Sequence, residues 1–215
     1  MLRAVLISVV LSIAAHADAT DTEPLFELAV DYSELERNPL CQRDAEGALY
    51  KRCYDSTEIY QAAFKRAQTE NKPLMTIWGF DECSACQFLE TREFNPDDPW
   101  TTGRFAQWAL SPKQKSSLSN QGRDLEILLV RINSRSPSGQ KLAEDLGVLD
   151  MARERGGRRV WSPFITMSDP MSDQIVSQAS MRGGEQPCHR WDEFALNLEA
   201  LGFIPVDTSY ERSIC

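Results

Sequence analysis

Leu74-Met75-Thr76-Ile77-Trp78 is an apolar run, and after four intervening residues Cys83-Ser84-Ala85-Cys86 sets two thiols one helical turn apart. This short apolar run, following Asn71-Lys72-Pro73, reads as a strand. A strand leading straight into a cysteine-headed helix leaves few folds open. A helix starting at Cys83 would aim its first backbone N–H groups, and the positive end of its dipole, at that sulfur. Both effects favour the thiolate, the form that attacks disulfides. Cys86, one turn later, is within reach to resolve a mixed disulfide. The same spacing could also supply half of a zinc site or form a structural bridge.

The rest of the chain alternates helix and strand. A helix is expected from Asp55 or Ser56, with Ile59, Ala62, Ala63, Phe64 and Ala67 on one face, ending at Asn71-Lys72-Pro73. After Cys86, residues 87 to 94 continue a helix until Asn95-Pro96. Residues 95 to 124 are polar and rich in turn formers, apart from a short helical patch around Phe105 to Leu110. Leu125 to Ile132 reads as a strand and Ser138 to Leu146 as a helix stopped by Gly147. Residues 149 to 159 read as a basic, exposed loop. Two strands, Phe164 to Met167 and Ile175 to Ala179, are expected around a turn at Ser168-Asp169-Pro170, and a last helix from Arg190 to Leu201. Such an order predicts an α/β protein with a mixed sheet covered on both faces and ending in an antiparallel hairpin.

The N-terminus predicts export. Met1-Leu2-Arg3 carries a positive charge, Ala4 to Ala15 is apolar, and Ala17-Asp18-Ala19 fits a small-x-small cleavage site, the pattern of a secretory signal peptide over residues 1 to 19. The apolar run is too short to span a bilayer, and no later stretch is long enough. A formal net charge of −9 with no basic cluster argues against nucleic acid or an anionic membrane as partner. Six cysteines in an exported chain suggest disulfides. Setting aside Cys83 and Cys86, the remaining Cys41, Cys53, Cys188 and Cys215 allow three pairings. Shorter loops favour Cys41 with Cys53 and Cys188 with Cys215. These bridges would tie down an N-terminal extension, residues 20 to 55, which reads as irregular over residues 20 to 54, and a C-terminal tail, residues 205 to 215.

Four elements in register carry a family resemblance. Glu70-Asn71-Lys72-Pro73-Leu74 precedes the strand, and Cys83-Ser84-Ala85-Cys86 opens the helix. Leu128 to Asn133, then Lys141-Leu142-Ala143-Glu144-Asp145-Leu146-Gly147-Val148, look like a central strand and its following helix. Trp161-Ser162-Pro163-Phe164-Ile165 stands where a proline precedes the next strand. In these respects the chain resembles the thioredoxin superfamily, and most closely its exported thioredoxin-like domains. The resemblance covers about residues 56 to 203. It implies a thioredoxin fold, a mixed central sheet flanked by helices, over residues 56 to 204, with the N-terminal extension and insertions added. It also implies that the Ser162–Pro163 bond is cis and lies against the cysteine pair, with Ser162 offering backbone hydrogen bonds to a bound peptide.

Departures from the family pattern bear on chemistry. Many relatives have an aromatic residue before the first cysteine; here it is Glu82, preceded by Asp81. If both carboxylates face the sulfur they disfavour its thiolate; if both point into water they do little. Thioredoxins proper carry a buried acid six residues before the first cysteine, where this chain has Ile77. The Ser84-Ala85 spacer lacks the histidine that makes a disulfide more oxidising. Trp78 and Trp161 flank the two motifs and would line a substrate groove or simply pack in the core. Two adjacent residues, Cys188 and His189, make poor zinc ligands beside Cys83 and Cys86.

The expectation is therefore an exported thiol–disulfide oxidoreductase, in the periplasm or otherwise secreted. Cys83 attacks, Cys86 resolves, and Trp161, Ser162 and Pro163 shape the peptide groove. Reductase or isomerase-like exchange is favoured over oxidase. Its partners would be protein or peptide disulfides and a separate redox protein that recycles the pair, with no cofactor, metal, nucleic acid or stable membrane insertion. The alternative is a thioredoxin-fold binding or assembly module whose CxxC is structural.

Overall fold

A computed structural model describes residues 26–42, 44, 47–89, 127–154, 163–172 and 174–176. Among them lie five strands and four α-helices: β1 (Phe26–Leu28), α1 (Ser56–Glu70), β2 (Leu74–Gly79), α2 (Ser84–Phe88), β3 (Ile127–Asn133), α3 (Pro137–Asp145), α4 (Val148–Glu154), β4 (Phe164–Asp169) and β5 (Gln174–Val176). The strands make one mixed sheet in the order β1-β3-β2-β4-β5. β1 and β2 run parallel to β3, whereas β4 is antiparallel to β2 and β5 to β4. β4 and β5 form the expected hairpin, its turn starting at Pro170 after Asp169 ends the strand.

Local chemistry sets the ends of α1. Asp55 caps it, its carboxylate accepting the N–H groups of Thr57 and Glu58 at 2.7 and 3.3 Å. Asn71 closes it in the left-handed conformation (φ 53°), and Pro73 follows. Ile59, Ala63 and Ala67 then pack on alternate residues of the sheet, Leu74 and Trp78 of β2 and Leu128, Val130 and Ile132 of β3, together with Leu142 and Ala143 of α3. The intervening residues Met75, Ile77, Ile127 and Leu129 are buried as well. Both faces of the central strands are therefore covered, which explains why they read as continuous apolar runs rather than alternating ones.

Two expectations are corrected. Residues 20 to 54 were expected to be irregular, yet Phe26–Leu28 joins the sheet beside β3. A three-residue strand has too little periodicity to stand out. It is held from outside, by Arg66, which pairs with Glu27 and Glu70 and donates to the Leu28 carbonyl at 2.8 Å, and by Lys72, 3.7 Å from Glu27. Residues 149 to 154 belong to α4 rather than a loop: Val148 and Ala152, four apart, are buried, while Arg153 and Glu154 stay exposed. Asp150, Arg153 and Glu154, which give this stretch its charged look, occupy only the outer face of the helix.

Trp78 is wholly buried, its Nε1–H donating to Thr166 Oγ1 at 3.0 Å, so it is a core residue and not a groove wall. The signal peptide, segment 95 to 124, residues 155 to 159, the last helix, the tail, and Trp161, Ser162, Cys188, His189 and Cys215 lie outside the described residues.

Candidate functional site

β2 ends at Gly79, and the chain turns through Phe80, Asp81 and Glu82 before α2. The Cys83 N–H closes this turn on the Phe80 carbonyl at 3.1 Å. Cys83 then caps α2 in extended conformation, its Sγ accepting the Cys86 N–H at 3.1 Å. The two cysteines are joined by a disulfide with their Cα atoms 5.2 Å apart. They are not equivalent: Cys83 keeps 7% of its surface exposed and Cys86 none. An incoming nucleophile therefore meets Cys83 first.

Pro163 is buried immediately before β4. Phe164 pairs with Trp78 across the antiparallel ladder, so the same register carries Pro163 to the level of Gly79, at the entry to the cysteine turn. The sheet register thus carries Pro163, 80 residues after Cys83 in sequence, to the end of β2 from which the cysteine turn departs.

The N-terminal lobe supplies a wall that the sequence did not reveal. Cys41 and Cys53 are disulfide-bonded, Cα atoms 5.3 Å apart, and Arg37 and Tyr54 form a β-bridge beside them. Arg37 also donates to the Cys41 carbonyl at 3.1 Å and lies 3.7 Å from Cys53 Sγ. Asp44 receives the N–H groups of Arg52 and Cys53 at 2.7 and 3.2 Å. This lobe reaches the cysteine turn in three places. Asp81 Oδ1 accepts the N–H groups of Leu49 and Tyr50 at 2.8 and 3.2 Å. Arg52 forms an ion pair with Glu82. The fully buried Tyr50 ring packs on Gly79, where a Cβ would lie 2.5 Å from the ring and its hydroxyl, so any side chain there would have to displace the ring.

The two acidic residues therefore have separate roles, unlike either arrangement expected for them. Asp81 turns to the lobe backbone, and Glu82, 59% exposed, turns to Arg52. The Glu82 carboxyl is held below its usual range, first by its own backbone N–H and then by the charges of Arg52 and Arg135. Arg135, just beyond β3, stacks its guanidinium over the Phe80 ring at 3.3 Å, a cation–π contact. Gln87 Nε2 donates to the Asp81 carbonyl at 2.7 Å. The turn is thus fixed from its own helix and from two separate segments.

β2 itself, Leu74–Gly79, contains no ionisable side chain, and Ile77 is fully buried. Tyr50, Arg52, Asp44, Phe80 and Arg135 were all missed as site residues. The one usable signal was Gly79, a small residue ending an apolar strand; its partner, 29 positions earlier, has no local signature.

Among the described residues, no cluster of three or more His, Cys, Asp or Glu could hold a metal ion, and no helix is long and apolar enough to cross a membrane. Comparison of the chain with protein-family models, curated proteins and solved structures found no match. The function must be argued from the site's own chemistry.

Proposed function

We propose that this protein is an exported thiol–disulfide oxidoreductase of thioredoxin fold that exchanges disulfides with protein or peptide substrates through Cys83 and Cys86. The observation that carries this reading is the asymmetry of the pair: a slightly exposed sulfur at a helix cap, bonded to a wholly buried one. The strand order β1-β3-β2-β4-β5, with the cysteines after β2 and Pro163 at the start of β4, supports the fold assignment. The Cys41–Cys53 bridge supports an oxidising compartment, with the periplasm the preferred one.

In the reductive direction, the Cys83 thiolate attacks one sulfur of a substrate disulfide and displaces the other as a thiolate. A mixed disulfide forms. Cys86 then loses its proton and attacks Cys83 Sγ, closing the intramolecular disulfide and releasing the second substrate sulfur. Two electrons have passed to the substrate, and a separate dithiol protein must return them. The Cys86 N–H, 3.1 Å from Cys83 Sγ, stabilises negative charge at the attacking atom. Without an acid in β2, the Cys86 proton leaves to water or to substrate. The Ser84-Ala85 spacer, which has no histidine, favours reductase or isomerase-like exchange over oxidation. Ser162 and Trp161 would complete the peptide groove beside Pro163.

A Cys86→Ser variant tests the reading. It should accumulate mixed disulfides through Cys83, and the wild-type chain should reduce insulin when supplied with a dithiol. No trapped species and no insulin reduction would remove the catalytic reading. A second reading, a binding or assembly module with a structural CxxC, draws on the 7% exposure of Cys83. A reduction potential below about −300 mV would favour it.

A further inference from the structure

The lobe's grip on the cysteine turn has an electrostatic consequence. Glu82 is the residue immediately before Cys83, so its carboxylate is the negative charge closest in sequence to the attacking sulfur. A bare carboxylate there opposes thiolate formation. Arg52 holds that carboxylate in an ion pair, and the arginine is itself held in place: its N–H is tied to Asp44 at 2.7 Å, and the next residue, Cys53, is bridged to Cys41. The other ionisable groups around the turn are engaged elsewhere. Asp81 accepts two backbone N–H groups of the lobe, and Arg135, whose charge also reaches Glu82, lies on the Phe80 ring. Arg52 is the cation that pairs directly with Glu82.

We propose that Arg52 is a positioning residue for disulfide exchange: by holding the Glu82 carboxylate it cancels the charge that would otherwise oppose the Cys83 thiolate, so the N-terminal lobe sets the reactivity of the CxxC. The proposal rests on the exchange reading above and adds to it the control of the nucleophile. Nothing is oxidised or reduced by Arg52; it changes only how readily the Cys83 S–H gives up its proton.

The size of the effect follows from Coulomb's law. A unit charge within a Debye length of a sulfur, at an effective dielectric between protein surface and water, displaces a thiol pKa by about half a unit to one unit. That is about a threefold to tenfold change in thiolate population below the pKa.

The test uses the full chain carrying Cys86→Ser, in which Cys83 is a free thiol without any reductant and the Cys41–Cys53 bridge stays intact. Iodoacetamide alkylation of Cys83 is followed at several pH values by mass spectrometry. In that background Arg52→Ala should slow alkylation about threefold to tenfold at pH 6. Arg52→Lys should restore the starting rate, and Glu82→Gln, which leaves Arg52 uncompensated, should speed alkylation. The Arg52→Ala/Glu82→Gln double variant should return close to the parent. Opposite signs for the two single variants mark a charge effect. If Arg52→Ala leaves the rate unchanged, or if Glu82→Gln slows alkylation as Arg52→Ala does, the proposal is overturned, because loss of a purely mechanical clamp would move both the same way. Glu82 is 59% exposed, so its variant reads the proposal even if Arg52→Ala does not fold. Alkylation needs no substrate. Failure of the wild-type chain to reduce insulin, together with no trapped mixed disulfide in Cys86→Ser, would sink the exchange reading without altering the outcome for Arg52.

Discussion

Replacing Cys41 and Cys53 together by alanine should destabilise the protein and loosen the wall of the cysteine turn. Alanine is the better choice, because Cys53 is 1% exposed and serine would bury a hydroxyl there. The bridge spans a sequence separation of 12. In the chain-entropy account, opening a loop of that length costs about 2.8 kcal/mol at 25 °C through the freedom regained by the unfolded chain. For a chain of this size each kcal/mol moves the melting temperature by about 2–4 °C, so a fall of roughly 6–11 °C is expected. Urea or thermal unfolding with the Cys83–Cys86 bond kept oxidised in both proteins measures it. A local readout accompanies the global one. Leu49 and Tyr50 donate to Asp81, and their amide exchange should quicken as the lobe frays. A loss below about 1 kcal/mol with unchanged protection at those amides would refute the reasoning. The lobe would then be held by Asp44, Asp81 and the packing of Tyr50 on Gly79, with the bridge adding little.

Two further outcomes follow from named contacts. Gly79→Ala should destabilise by about 1–3 kcal/mol, since the new Cβ would lie 2.5 Å from a wholly buried Tyr50 ring that must move. Denaturant midpoints check this, and an unchanged midpoint would show the ring to be free to shift. Glu70 titrates below its ordinary 4.5, first through Arg66 and then through Lys72. A carboxyl lowered in the folded state adds stability that is fully present above 4.5 and is lost as pH falls through the lower folded value. Glu70→Gln should therefore flatten the decline of stability below pH 4.5, as read by melting temperature against pH. A decline identical to wild type would contradict the ion network assigned to β1 and α1.

Elements with a strong local signal were legible in the chain. Asp55, Asn71 and Pro73 bounded α1 to within a residue, and the apolar runs of β2 and β3 announced strands buried on both faces. β1 and α4 were not legible as such. Phe26–Leu28 is too short for a period, and its neighbours across the sheet and on α1 decide its conformation. Val148 and Ala152 mark a helix only once one knows that α3 and the sheet bury that side.

The cysteine pair and its place at the head of a helix are written in the sequence, because backbone hydrogen bonding and capping act over three or four residues. The local bridge between Cys41 and Cys53 is close to that limit, favoured by its short loop. What surrounds the pair is another matter. That Asp81 turns to the backbone of Leu49 and Tyr50, that Glu82 meets Arg52, and that Pro163 comes level with Gly79 depend on contacts across 30 to 84 residues of chain. Charge and shape complementarity between such distant segments has no periodicity to read. Only the folded sheet, with the disulfide-closed lobe laid against its β2 end, decides which charge meets which.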